Sequence, residues 1–230
     1  MSTASAVLRP GKRAPNKGAR APTRDRLIYW AVWLALAAPL PFLLWTGLHG
    51  SMRQRDDLVR QEGLWAVRIL IAGFALSPLA RLLRAPVLHR YKRTVGLFGF
   101  TYAACHGIFY ILYGRVWEFP LRIWQRRLYI PLGILCLLLL IPLAVTSTDG
   151  LMRRMGPRGW RRLHAVIYPL MLMIAVHALW QTNIDYTQPQ IYLAIIVLLL
   201  LVRAPPVMNV LLKLTRRRTP KSAAPLTSSP

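Results

Sequence analysis

The sequence predicts an all-α integral membrane protein: a bundle of six transmembrane helices with both termini on the cytoplasmic side. Two observations carry this. Long uncharged apolar runs recur along the 230 residues, and the basic residues are concentrated in the segments between those runs, in a lopsided pattern. Overall composition points the same way. With 31 Lys+Arg against 7 Asp+Glu the formal net charge is +24, which in a soluble chain would suggest nucleic acid. Yet 55% of the residues are hydrophobic, eight are Trp, and mean hydropathy is +0.36. Nucleic acid is therefore set aside as a partner in favour of membrane lipid. The only two cysteines, Cys105 and Cys136, lie inside apolar runs, which excludes a disulfide scaffold and a Cys-rich zinc or iron–sulfur site.

A spanning helix needs about 20 mostly apolar residues. The first run, residues 27–48, has 22 residues without a charge. A basic segment precedes it, as in a signal peptide, but it is too long for a typical h-region and no Ala-x-Ala pattern follows Trp45, so it is expected to be retained. The second, 64–79, is apolar except for Arg68. The third, fourth and fifth, 94–113, 128–146 and 163–180, contain 20, 19 and 18 uncharged residues. The sixth, 186–202, is uncharged but opens on polar residues. These runs define one domain, residues 27–212. Residues 1–26 and 213–230 are rich in Ser, Thr, Pro, Ala and basic residues, and are expected to be disordered tails because they cannot bury enough apolar surface.

Basic residues close to spanning helices are retained on the cytoplasmic side. With Arg68 set aside as lying within a span, 23 Lys and Arg fall in one alternate set of segments and 7 in the other. Both termini are thereby placed in the cytoplasm. That placement requires an even number of spans, which supports the sixth helix.

An ionisable or ligating side chain inside a span is costly and marks a candidate functional site. Of the five histidines, His106 and His177 lie well inside runs. In this topology the third and fifth spans both run outward. His106 then sits 12 residues past position 94 and His177 14 residues past position 163, about 18 and 21 Å along their axes. Two neutral imidazoles at one depth suit six-coordinate haem iron. Gly96, Gly99, Ala103, His106 and Gly107 share an arc of about 100° on an ideal helix, a low-relief face that admits a flat macrocycle. The same face equally suits close helix packing, with each histidine bonded to a backbone carbonyl.

His164 precedes His177 by 13 residues, which places it about 20 Å away along the axis but about 140° around a straight helix. A kink at Pro169 would bring the two rings closer in direction. His89, beside Pro86 in a basic segment, reads as a loop histidine, and His49 as an interfacial one. The basic clusters at 81–93 and 153–162 record topology and attraction to anionic lipid. For Arg93 in the first cluster, and for Arg68 inside its span, an alternative is pairing with a haem propionate or a flavin phosphate. Snorkelling to the outer edge is the competing account of Arg68. There is no Gly-x-Gly-x-x-Gly, Walker loop or Cys-x-x-Cys-His, so an electron donor and acceptor are expected to be separate components.

Four segments add a family resemblance. Ser77-Pro78-Leu79-Ala80-Arg81, then Arg93-Thr94-Val95-Gly96-Leu97 followed by His106, then Thr146-Ser147-Thr148, then Trp160-Arg161-Arg162-Leu163-His164 with Tyr168, His177 and Trp180, come in an order and spacing that resembles the MsrQ (YedZ) family. These are haem-binding membrane subunits of bacterial periplasmic protein-methionine-sulfoxide reductase systems, within the ferric-reductase-like transmembrane group. The resemblance runs from about residue 27 to 212. It implies an inner-membrane cytochrome b with one or two haem b groups and no substrate reaction of its own. Such a subunit would pass electrons from the quinone pool or a cytoplasmic flavin reductase to MsrP, a periplasmic molybdopterin enzyme that repairs methionine sulfoxide in proteins. By position, His106 and His177 match the ligands of one haem and His164 a ligand of a second, and some members are associated with FMN. Alternatives are a ferric or quinone reductase component serving another acceptor and, from a different class, a small transporter or scaffold without haem.

Overall fold

The computed structural model describes residues 23–113, 128–181 and 186–217, and within them the chain is helical throughout, with no strand. The first apolar run forms two helices, α1 (Thr23–Ala37) and α2 (Pro39–His49), joined at Ala38. Pro39 and Pro41 account for the joint, because neither has an N–H for the carbonyl four residues back and Pro39 is accommodated as the first residue of α2. Helix α3 (Met52–Leu82) begins twelve residues before the second apolar run. Its start is set by a capping box: the Ser51 N–H donates to Gln54 Oε1 at 2.7 Å and the Gln54 N–H donates to Ser51 Oγ at 3.4 Å.

A short 3₁₀ turn (Pro86–Arg90) leads into α4 (Lys92–Tyr113). Next come α5 (Tyr129–Val145) and α6 (Asp149–His164), which is broken at Gly156, in the left-handed region with φ 70°, immediately before Pro157. The remaining helices are α7 (Ile167–Gln181), α8 (Thr187–Arg203) and α9 (Pro205–Arg217). The fifth run is therefore not one helix. Its first residues close α6, the chain turns at Ala165–Val166, and Pro169 sits harmlessly in the first turn of α7 rather than kinking a continuous helix.

All six predicted runs are helical, but not as six equal spans. The α1–α2 pair has 27 residues, α3 has 31 and α4 has 22, each long and apolar enough to cross a membrane. Helices α5 and α8 have 17 residues each, about 25 Å, and α7 has 15. The chain bends by 102° between α5 and α6, and by 81° between α8 and α9. Counting each bent pair as one span gives up to five, with α7 as a further, shorter apolar helix.

Five helices close a ring in which α3 packs on α4, α4 on α5, α5 on α7, α7 on α8 and α8 back on α3. Its core joins Leu70 and Phe74 of α3, Cys136 and Leu140 of α5, Leu170 and Met171 of α7, and Ile196 of α8. Helix α1, with no buried residue, lies outside the ring and is tied on where the Tyr102 hydroxyl donates to the Leu36 carbonyl at 2.9 Å. Outward faces are apolar: Leu138 and Leu198 are 57% and 58% exposed, a surface that lipid solvates and water does not.

Candidate functional site

His106 on α4 and His177 on α7 come together beside α5, which packs against both helices, with ring centroids 6.3 Å apart and planes at 77°. Both rings are held by main chain. Nδ1 of His106 lies 2.8 Å from the Val59 carbonyl of α3, and Nδ1 of His177 lies 2.7 Å from the Tyr129 carbonyl of α5. A carbonyl only accepts, so each Nδ1 carries the hydrogen and donates it. That leaves each Nε2 with its lone pair, the tautomer a metal-ligating histidine needs, with its orientation fixed by the bond on the far nitrogen.

These residues fit haem. Two imidazoles bound to one metal, with metal–nitrogen bonds of about 2.0 Å and about 1.1 Å from each nitrogen to its ring centre, have centroids about 6.2 Å apart when opposed. The observed centroid separation of 6.3 Å is of that size. Among the described residues there is no group of three or more His, Cys, Asp or Glu able to hold a bare metal ion. A two-nitrogen site suits iron whose remaining ligands come from a macrocycle. Two glycines give the rings their room. A Cβ at Gly63 of α3 would stand 3.1 Å from Cε1 and Nδ1 of His106, and one at Gly133 of α5 would stand 2.5 Å from Cε1 of His177.

The small-residue face of α4 is partly taken up by helix packing. Gly99 receives Leu70 and Gly107 receives Leu137, as in close helix packing, while Gly96 faces open space. His164 stands apart from the pair, at the end of α6. Its Nε2 is 3.2 Å from the Thr146 hydroxyl, and its ring stacks on Trp160 at 4.0 Å. His49 stacks on Trp45 and lines a separate cleft of about 440 Å³ with Asp57 and Gln61. His89 is exposed in the 3₁₀ turn. The two candidate anion partners are engaged by protein groups. Arg68 donates through Nε to the Tyr192 hydroxyl at 2.8 Å, and Arg93 pairs with Asp149.

Glu62 was not a candidate in the sequence, because it lies just before the second apolar run. It is fully buried, on the α3 turn that carries Val59 and Gly63, and neither carboxyl oxygen has a hydrogen-bond partner among the described residues. The capping box at Ser51 and Gln54 is the signal that could have extended α3 far enough to include it.

Residues 62–175 match the family described as ferric reductase like transmembrane component, a stretch that includes Gly63, His106, Gly133 and His164 and stops two residues short of His177. The chain is 40% identical over 197 residues to the protein-methionine-sulfoxide reductase heme-binding subunit MsrQ of Caulobacter vibrioides, covering 84% of this chain and 91% of that protein. The protein of the same name from Xanthomonas campestris pv. campestris is 37% identical over 181 residues, covering 74% and 82%. That of Xanthomonas oryzae pv. oryzae is 37% identical over 171 residues, covering 74% and 78%.

Proposed function

The chain belongs to the MsrQ family of haem-binding subunits, and on that premise we propose that it is the haem b-containing, electron-transferring membrane subunit of a protein-methionine-sulfoxide reductase system. The observation that carries the reading is the His106–His177 pair, with both Nδ1 groups donated to main-chain carbonyls and both Nε2 groups left to bind iron. When bound there, haem supplies a one-electron couple. The protein's part is to present two neutral imidazoles and to hold their tautomer through Val59 and Tyr129.

In this reading the domain of residues 27–212 is a multi-pass segment of a bacterial inner membrane with six crossings and both termini in the cytoplasm, as the basic-residue asymmetry supports. Electrons enter from the quinone pool or a cytoplasmic flavin reductase and leave to a periplasmic MsrP-like molybdopterin subunit. His164, on the expected cytoplasmic side, is the proposed ligand of a second haem, with FMN a further candidate cofactor. A propionate or phosphate there would compete with Asp149 for Arg93, and one at Arg68 would compete with Tyr192.

The test is a reduced-minus-oxidised spectrum of the purified chain with haem quantified, together with methionine sulfoxide repair in a deletion strain. A b-type signal and loss of periplasmic repair are expected. Absence of b-type haem from protein made in haem-replete cells would overturn the proposal.

A further inference from the structure

The two candidate ligands are seated by the same local device. His106 bonds the carbonyl of Val59 and lies against Gly63; His177 bonds the carbonyl of Tyr129 and lies against Gly133. In each case the glycine is four residues after the carbonyl. The two devices stand on different helices, α3 and α5, and serve rings from α4 and α7.

Helix geometry explains the spacing. Every Cα–Cβ bond tilts toward the helix N-terminus, so a side chain at position i+4 reaches back beside the carbonyl of residue i. Ser and Thr use this proximity to bond that carbonyl within their own helix. The carbonyl has a second lone pair beyond its helical bond, but an ordinary side chain at i+4 crowds the approach to it. Glycine clears the approach, and an imidazole from a neighbouring helix lies in the vacated place.

We infer that Gly63 and Gly133 are positioning residues, which keep the approach to the Val59 and Tyr129 carbonyls open so that main chain alone sets the tautomer and plane of each ligand imidazole. The two positions are not equally tight. A methyl group at Gly133 would meet His177 at 2.5 Å from Cε1, 2.9 Å from Nδ1 and 3.2 Å from Nε2, closer than real contacts allow. At Gly63 the nearest approach is 3.1 Å, which a shift of a few tenths of an ångström relieves. Alanine at Gly96 meets nothing within 4 Å. The device thus predicts a ranking of Gly133→Ala above Gly63→Ala above Gly96→Ala, although Gly96 is on the same helix as His106 and the other two are not.

The inference rests on the haem reading for its consequence but not for its geometry, so two readouts are needed on the full chain in detergent. The first is haem per chain with the low-spin ferric spectrum. Gly133→Ala is expected to lose most of the haem held by the pair, Gly63→Ala to keep it with a shifted low-spin signal, and Gly96→Ala to match wild type. Gly133→Ser is expected to be at least as damaging as Gly133→Ala, because its hydroxyl competes for the Tyr129 carbonyl. The second readout is ¹⁵N-histidine NMR of the haem-free chain. Both rings should be in the Nδ1–H tautomer in wild type, with His177 losing it in Gly133→Ala. Wild-type spectra in both alanine variants, or rings that are not Nδ1–H without haem, would overturn the inference. A wild-type chain that binds no haem but shows the tautomer result would overturn the proposed function and leave the positioning role standing. Gly63→Ala keeps the test decisive if Gly133→Ala fails to fold.

Discussion

His106, on α4, and His164, the last residue of α6, stand on different helices. They are held in opposite ways. His106 is anchored through Nδ1 by a main-chain carbonyl and lies beside a second imidazole anchored in the same way, so the lone pair of each ring is on Nε2. His164 is held by side chains on the helices that meet at its end of the bundle. The Thr146 hydroxyl has one hydrogen, which goes to the Pro142 carbonyl at 2.6 Å, so His164 donates to it through Nε2. One part of the bundle therefore brings two main-chain-anchored imidazoles together, the arrangement on which the proposed haem site rests. The other holds a single histidine that donates through Nε2, which leaves its lone pair on Nδ1. Main-chain anchoring cannot rotate away, whereas Thr146 and Trp160 can adopt other rotamers.

The comparison predicts unequal consequences for mutation. The largest is at the pair: His106→Ala or His177→Ala should each remove the low-spin signal, while His164→Ala leaves that signal intact and lowers haem per chain only by whatever a second site holds. Haem quantification beside low-temperature spectra of the three variants checks this, and loss of the main signal in His164→Ala would reverse the assignment. Next in size is Glu62→Met. Removing a fully buried carboxyl with no hydrogen-bond partner among the described residues should stabilise the chain by about 1–3 kcal/mol, seen as a raised unfolding midpoint in detergent. A lowered midpoint would mean that the carboxyl has a stabilising partner. Smaller still is Thr146→Val, which loses one neutral hydrogen bond to His164 and about 1 kcal/mol of stability. Because it also releases Nε2, it should not reduce haem content. The smallest effect is expected for Arg93→Ala. The Arg93–Asp149 pair is about half exposed, at 47% and 61%, so its removal should cost under about 1 kcal/mol and still less at high salt.

Much of the ring and its histidine pair was legible in the sequence, because long uncharged runs and an imidazole within a run are one-dimensional signals. The depth ruler placed His106 and His177 at one level, and the structure brings their rings together. The break at Ala165–Val166 was not legible, since no glycine or proline marks it and the run from 163 to 180 stays uncharged across it. For that reason His164 was first placed on the same helix as His177. Glu62 was hidden by a hydropathy scan that stops at charges, although the Ser51–Gln54 box announced a longer helix. The roles of Gly63 and Gly133 were beyond reach for another reason. A glycine four residues after an ordinary residue carries no signal until the helix that brings the imidazole is in place. Of the glycines that sequence did single out on α4, Gly99 and Gly107 receive Leu70 and Leu137, and Gly96 faces open space.

The central proposal is that His106 and His177 would together hold one haem. Imidazole rescue of His177→Gly tests it most directly, because the truncation leaves a space that added imidazole can fill. The purified variant is expected to lose the six-coordinate low-spin spectrum of wild type and to regain it, in proportion to occupancy, as imidazole is titrated in, with His106→Gly behaving likewise. A variant that keeps the wild-type spectrum before imidazole is added would contradict the claim.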